Sequence, residues 1–108
     1  YIIGSSMGGY SAFVLGALYK IPVLAFNPAL HSRTLAPAFP DFVKHHFPGE
    51  FIVVLGDQDT VIPPKQTLDW LKDHIKDRFV KSDIKNVETM GHRVPLDVFI
   101  DMYNKILG

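Results

Sequence analysis

Three uninterrupted apolar runs punctuate the chain: Tyr1-Ile2-Ile3, Val23-Leu24-Ala25-Phe26 and Phe51-Ile52-Val53-Val54-Leu55. Runs with no polar alternation are expected of strands covered on both faces. The first closes at Gly4, the second at Asn27-Pro28 and the third at Gly56. A weaker strand is predicted within residues 80–88.

Between these runs the spacing is helical. Over residues 7–19, Tyr10, Phe13, Val14, Ala17 and Leu18 share one face, and Gly8, Gly9, Ser11, Ala12 and Gly16 make the rest slim. Such a helix can approach a sheet closely. It is costly alone, because each interior glycine loses about 1 kcal/mol against alanine. Pro22 is expected to stop it. Pro63-Pro64 opens a second helix with Leu68, Leu71 and Ile75 inward and Lys65, Asp69, Lys72, Asp73 and Lys76 outward. A last helix is predicted over residues 95–107, with Val98, Phe99, Met102 and Ile106 inward.

Residues 28–49 break the rhythm. Four prolines (Pro28, Pro37, Pro40, Pro48), three histidines and scattered aromatics predict an irregular excursion with one short helix near residues 40–46. The order is strand, helix, strand, excursion, strand, helix, strand, helix. That alternation predicts an α/β fold, a parallel sheet of about four strands with helices on both faces.

Composition narrows the function classes. With 11 Lys+Arg against 11 Asp+Glu among 108 residues, there is no electrostatic footprint for nucleic acid or an anionic membrane. The absence of cysteine excludes disulfides and thiolate metal sites. No apolar run approaches the roughly 18 residues of a membrane span, and no signal peptide is visible. The compartment stays open, with the cytoplasm as the expectation. The chain starts inside a predicted strand, without methionine, which leads us to expect a partial domain.

The segment Gly4-Ser5-Ser6-Met7-Gly8 matches G-x-S-x-G, after an apolar strand and at the start of a helix. A serine on such a turn is lifted above the sheet edge in a strained conformation. Gly4 and Gly8 are expected to prevent a clash between strand and helix. The turn also aims the Met7 backbone N–H, near a helix N-terminus, at a developing oxyanion. The bland alternative is a glycine-rich turn that merely packs well or cradles a phosphate. The Lys-Ser/Thr of a P-loop and the spacing of a dinucleotide fingerprint are both missing.

A serine hydroxyl needs a base to take its proton, and the base needs an acid to orient it. After the third strand comes Gly56-Asp57-Gln58-Asp59-Thr60-Val61-Ile62-Pro63, and after the fourth comes Thr89-Met90-Gly91-His92-Arg93. Together these segments resemble the acid and histidine loops of the α/β-hydrolase superfamily, in the chain order Ser…Asp…His. The resemblance spans nearly the whole chain. The short excursion and the Gly-His-Arg step are similar to small bacterial esterases of the YqiA-like kind.

The resemblance implies Ser6 as nucleophile, Asp59 as acid, His92 as base and Met7 as an oxyanion donor, without cofactor or metal. It implies a small-molecule ester or thioester substrate. Asp57 is the rival acid, with Asp59 then a turn former. His31 is a candidate pocket residue, His74 a solvated one, and His45-His46 a poor metal pair because helical neighbours point about 100° apart.

Residues 27–49 occupy the place of a lid, where Phe39, Phe42 and Phe47 either shape an acyl pocket or cover the sheet edge. The resemblance also implies strands, helices and a second oxyanion donor before Tyr1. It follows that residues 1–108 are expected to form one partial domain whose bare edge favours self-association. A non-catalytic binding module, or an acyltransferase, peptidase or lipase on the same scaffold, are the rival functions.

Overall fold

The computed structural model describes residues 1–31, 47–75 and 81–108. Their elements run β1 (Ile2–Ser5), α1 (Met7–Tyr19), β2 (Val23–Phe26), β3 (Glu50–Gly56), α2 (Pro64–Ile75), β4 (Lys81–Val87) and α3 (Leu96–Leu107). The strands form one sheet in the order β1-β2-β3-β4, and every pair is parallel. The expected α/β architecture is therefore present. The excursion's predicted helix, with Phe39, Phe42, His45 and His46, lies outside the described residues.

Register explains the two-sided apolar strands. Ile2, Val23 and Phe51 are aligned, as are Ile3, Leu24 and Ile52, so alternate residues feed two separate cores. One core joins Val23, Ala25, Phe51, Val53 and Leu55 to Ala12 and Phe13 of α1 and to Trp70 and Leu71 of α2. The other joins Leu24, Phe26, Ile52 and Val54 to Met102, Val98, Phe99 and Ile106 of α3. Helices thus cover both faces, with α1 and α2 on one side and α3 on the other.

Of the predicted stripe of α1, Tyr10, Phe13 and Ala17 are buried and Val14 packs against the core, and only Leu18 turns outward. Gly9, Ala12, Gly16 and Ala17 are buried beside Phe13, whereas Leu18 is 49% exposed. A Cβ on Gly16 would meet the Val23 side chain at 2.3 Å, and one on Gly9 would meet Pro28 at 2.8 Å. Small residues share the inner face with Phe13 and Tyr10 where the sheet comes this close, and Leu18 lies outside. The helix also ends before Pro22 can act: Lys20 adopts a left-handed cap (φ 56°), and the Ile21 N–H bonds back to the Gly16 carbonyl.

For Phe47 the structure favours the covering alternative. The side chain is buried in the α1–α2 core, edge to face with Phe13 at 5.3 Å, and so is packing rather than acyl-pocket lining. Trp70, absent from the predicted stripe of α2, packs against the same Phe13 ring at 5.7 Å. Among the described residues no helix is long and apolar enough to cross a membrane.

Candidate active site

In a parallel sheet all strands present their C-terminal ends to one edge, and loops leaving that edge can converge. Ser6 follows β1 directly, Asp59 lies three residues beyond β3, and His92 lies five beyond β4. All three candidates therefore leave the same edge.

Ser6 sits between strand and helix with φ 57° and ψ −119°, a region that non-glycine residues rarely occupy and that costs on the order of 1–3 kcal/mol. Its backbone is held from two directions. The Ser6 N–H donates to Phe26 O at 2.9 Å, and the Ser6 carbonyl accepts from Tyr10 N–H at 3.2 Å and Ala29 N–H at 2.9 Å. The end of β2 and the first turn of α1 together impose the conformation. Gly4 makes the tight turn possible, since a Cβ there would lie 2.1 Å from the Gly8 carbonyl oxygen. Gly8 is different from what the motif suggests: a Cβ on it would meet nothing within 4 Å. Met7, the first helical residue, carries a backbone N–H that no preceding turn can accept.

Asp59 and His92 are brought together. His92 Nδ1 lies 2.9 Å from Asp59 Oδ2, and the Asp59 side chain is fully buried while that of His92 is 30% exposed. The other carboxylate oxygen accepts the Val61 and Ile62 N–H groups, both at 2.9 Å. Both acid oxygens are thus committed, one to shaping its own loop and one to the ring. Asp57, the rival, is exposed, and its N–H donates to Val87 O.

Two loops meet tightly here. Gln58 N–H donates to Met90 O at 2.9 Å, and a Cβ on Gly56 would fall 2.4 Å from that same oxygen. Sequence reasoning missed the residue beneath them. Asn27, buried at the end of β2 with φ 43°, accepts the Gly56 N–H on Oδ1 at 2.8 Å. Its Nδ2 donates to the carbonyls of Gly91 at 3.0 Å and His92 at 3.1 Å. A polar residue just after an apolar run, followed by proline, was the available signal.

His92 also borders a cavity of about 450 Å³ with Ile3, Ser5, Phe26, Arg93 and Phe99. This cleft lies between β1 and the start of α3, and Ser5 rather than Ser6 contributes to its wall. Ser6 and His92 are not joined by a hydrogen bond among the described residues. His31 follows Leu30 with its Nδ1 buried and unpartnered among the described residues. No group of three metal-ligating side chains occurs among the described residues.

Comparison with known structures defines the fold. The chain aligns over 97% of its length with 48% of a predicted CIB-like hydrolase from Thermoplasma acidophilum, at 20% identity and TM-score 0.66. It aligns over 95% with 50% of SOBER1 from Arabidopsis thaliana, at 17% identity and TM-score 0.63. Esterase PE8 gives 19% identity and TM-score 0.62, with 96% of this chain and 47% of that one covered. The fold is that of the α/β hydrolases, and the chain spans about half the length of these structures.

A narrower likeness comes from sequence. Residues 1–46 match the model of an uncharacterised protein family (UPF0227). That stretch holds the Ser6 turn, α1 and β2, and stops short of Asp59 and His92. No curated protein matches the chain.

Proposed function

We propose that this protein is a serine hydrolase acting on a carboxylic ester or thioester through Ser6, Asp59 and His92. The observation that carries the reading is the 2.9 Å bond between buried Asp59 and His92 Nδ1, at the sheet edge where Ser6 sits strained.

A carboxylate only accepts hydrogen bonds, so Nδ1 carries the proton of the neutral ring and Nε2 is left as the basic atom. In the proposed reaction Ser6 Oγ attacks the carbonyl carbon as His92 Nε2 takes the hydroxyl proton. The Met7 N–H stabilises the oxyanion of the tetrahedral intermediate. His92 then passes its proton to the departing alcohol or thiol, leaving the acyl group on Ser6. A water molecule, deprotonated by His92, releases the acid and restores the serine. Asp59 holds the ring's tautomer and stabilises the imidazolium without taking the proton.

Contacts between nucleophile and base commonly tighten only with substrate in place, so the lack of a Ser6–His92 hydrogen bond among the described residues is compatible with this route. A second oxyanion donor is assigned to a loop outside these residues, because one donor alone forgoes about 3 kcal/mol of transition-state stabilisation. On this reading residues 1–108 are one partial hydrolase domain, with residues 27–49 as its lid-like excursion.

The test is labelling by a fluorophosphonate, on this chain and on the protein at its natural length, with Ser6→Ala and His92→Ala controls. Labelling abolished by Ser6→Ala is the expected result. Failure of the folded natural-length protein to react would sink the reading and favour a non-catalytic binding module.

A further inference from the structure

We propose that Asn27 is a positioning residue that sets the histidine loop against the acid loop and so places His92. This inference rests on the serine-hydrolase reading for its kinetic consequence, but its structural content stands on its own.

The ladder between β2 and β3 explains why an asparagine is needed. Asn27 N–H donates to Val54 O at 2.8 Å, so in a continuing parallel ladder the Asn27 carbonyl would next accept the Gly56 N–H. The left-handed backbone at Asn27 (φ 43°) turns that carbonyl away. The side-chain Oδ1 takes its place, accepting Gly56 N–H at 2.8 Å. The ladder is thereby extended by one rung through a side chain. The rung lands on the residue that opens the acid loop.

The amide's other end has a separate task. His92 follows β4, at one edge of the sheet, yet it borders a cavity with Ile3 and Ser5 of β1, at the opposite edge. With strands about 4.8 Å apart, the loop must reach back over roughly 14 Å of sheet. Its carbonyls are taken up in turn along the way. Gln58 N–H holds Met90 O, and Asn27 Nδ2 holds Gly91 O and His92 O. Asn27 thus bonds the backbone of His92 itself, while Asp59 bonds its ring. Side chain and main chain of one residue are fixed from the segments that follow two different strands, β3 and β2.

Two variants separate positioning from a simple ladder role. Asn27→Gly tolerates the left-handed backbone and removes every side-chain bond. Asn27→Asp keeps the acceptor for Gly56 N–H but replaces the donor with an oxygen facing two carbonyls. A residue that only extends the ladder would leave the aspartate variant near wild type. A residue that positions His92 would leave it at least as impaired as the glycine variant.

The experiment uses the protein at its natural length, with turnover of a p-nitrophenyl ester across pH, circular dichroism for folding, and the His92 Nδ1 proton resonance in NMR. We expect both variants to fold, to lose at least tenfold in kcat with KM within twofold, and to show a shifted or exchange-broadened Nδ1 resonance. Wild-type kcat, pH profile and Nδ1 resonance in a folded Asn27→Asp protein would overturn the proposal. If wild type neither turns over the ester nor reacts with the fluorophosphonate, the hydrolase reading fails, and the Nδ1 resonance still decides whether Asn27 positions His92. A variant pair with that resonance unmoved would overturn the inference in that case too.

Discussion

A Cβ on Gly4 would lie 2.1 Å from the carbonyl oxygen of Gly8, while a Cβ on Gly8 would touch nothing within 4 Å. The steric demand of the strand-to-helix turn falls on one of the two glycines, because the first residue faces helix backbone and the second faces outward. Gly4→Ala is therefore expected to destabilise the fold and abolish fluorophosphonate labelling. Gly8→Ala should keep labelling and hold or raise the melting temperature, since alanine favours a helix by up to about 1 kcal/mol over glycine.

The two aspartates of the acid loop should differ sharply. Asp59→Asn leaves His92 without its carboxylate, and kcat is expected to fall by about 10⁴-fold. Asp57, exposed and away from the ring, should tolerate asparagine with a change of roughly twofold or less. Ester turnover by both variants, side by side, checks the assignment.

Gly56→Ala tests the closeness of the two loops. The added methyl would sit 2.4 Å from Met90 O and 2.6 Å from Gly91 O, so the histidine loop must lift. We expect a lowered melting temperature and a fall in turnover larger than the loss of folded protein explains.

Phe13 is the hub of the α1–α2 core. It is fully buried and meets Phe47, Phe51 and Trp70 with ring centroids at 5.3, 5.0 and 5.7 Å. Phe13→Ala should cost about 3–5 kcal/mol in chemical denaturation.

On the opposite face Lys105, and beyond it Lys85, hold the Asp101 carboxyl below its ordinary value of 3.8, chiefly through the Lys105 hydrogen bond. A depressed carboxylate adds stability above its unfolded pKa and loses it as pH falls through the folded one. Asp101→Asn should therefore lower the melting temperature slightly at pH 7 and make no difference below the carboxylate range. Salt should shrink the gap, because the group is exposed.

Much of the fold was legible because the central strands are apolar on both faces. β2 spans the apolar run itself, and β3 adds one residue at each end. β4 was harder. It is an edge strand carrying Lys81, Asp83 and Lys85, so burial imposes little pattern on it. The helical spacing of α1 places Tyr10, Phe13, Val14 and Ala17 toward the core, but it does not show that close approach at Gly9 and Gly16 leaves Leu18 outside.

At the site, the motifs singled out Ser6, Asp59 and His92, and the structure joins the last two. Asn27 went unread because an asparagine after a strand looks like a turn former. Its role depends on a loop more than sixty residues away in sequence. The unequal demands on Gly4 and Gly8 were hidden for a related reason: spacing is symmetric about Ser6, but the packing around it is not.

Strand order along the sheet is also order along the chain. Each of β2, β3 and β4 docks on the strand synthesised just before it, so these four strands can be laid down in the sequence in which a ribosome delivers them. The buried pairing of Asp59 with His92 cannot form on that schedule until β4 and the loop after it have emerged. On the proposed reading, the pair that would activate Ser6 is therefore completed long after the turn that holds the serine, and reactivity of that serine waits on the loop that carries His92.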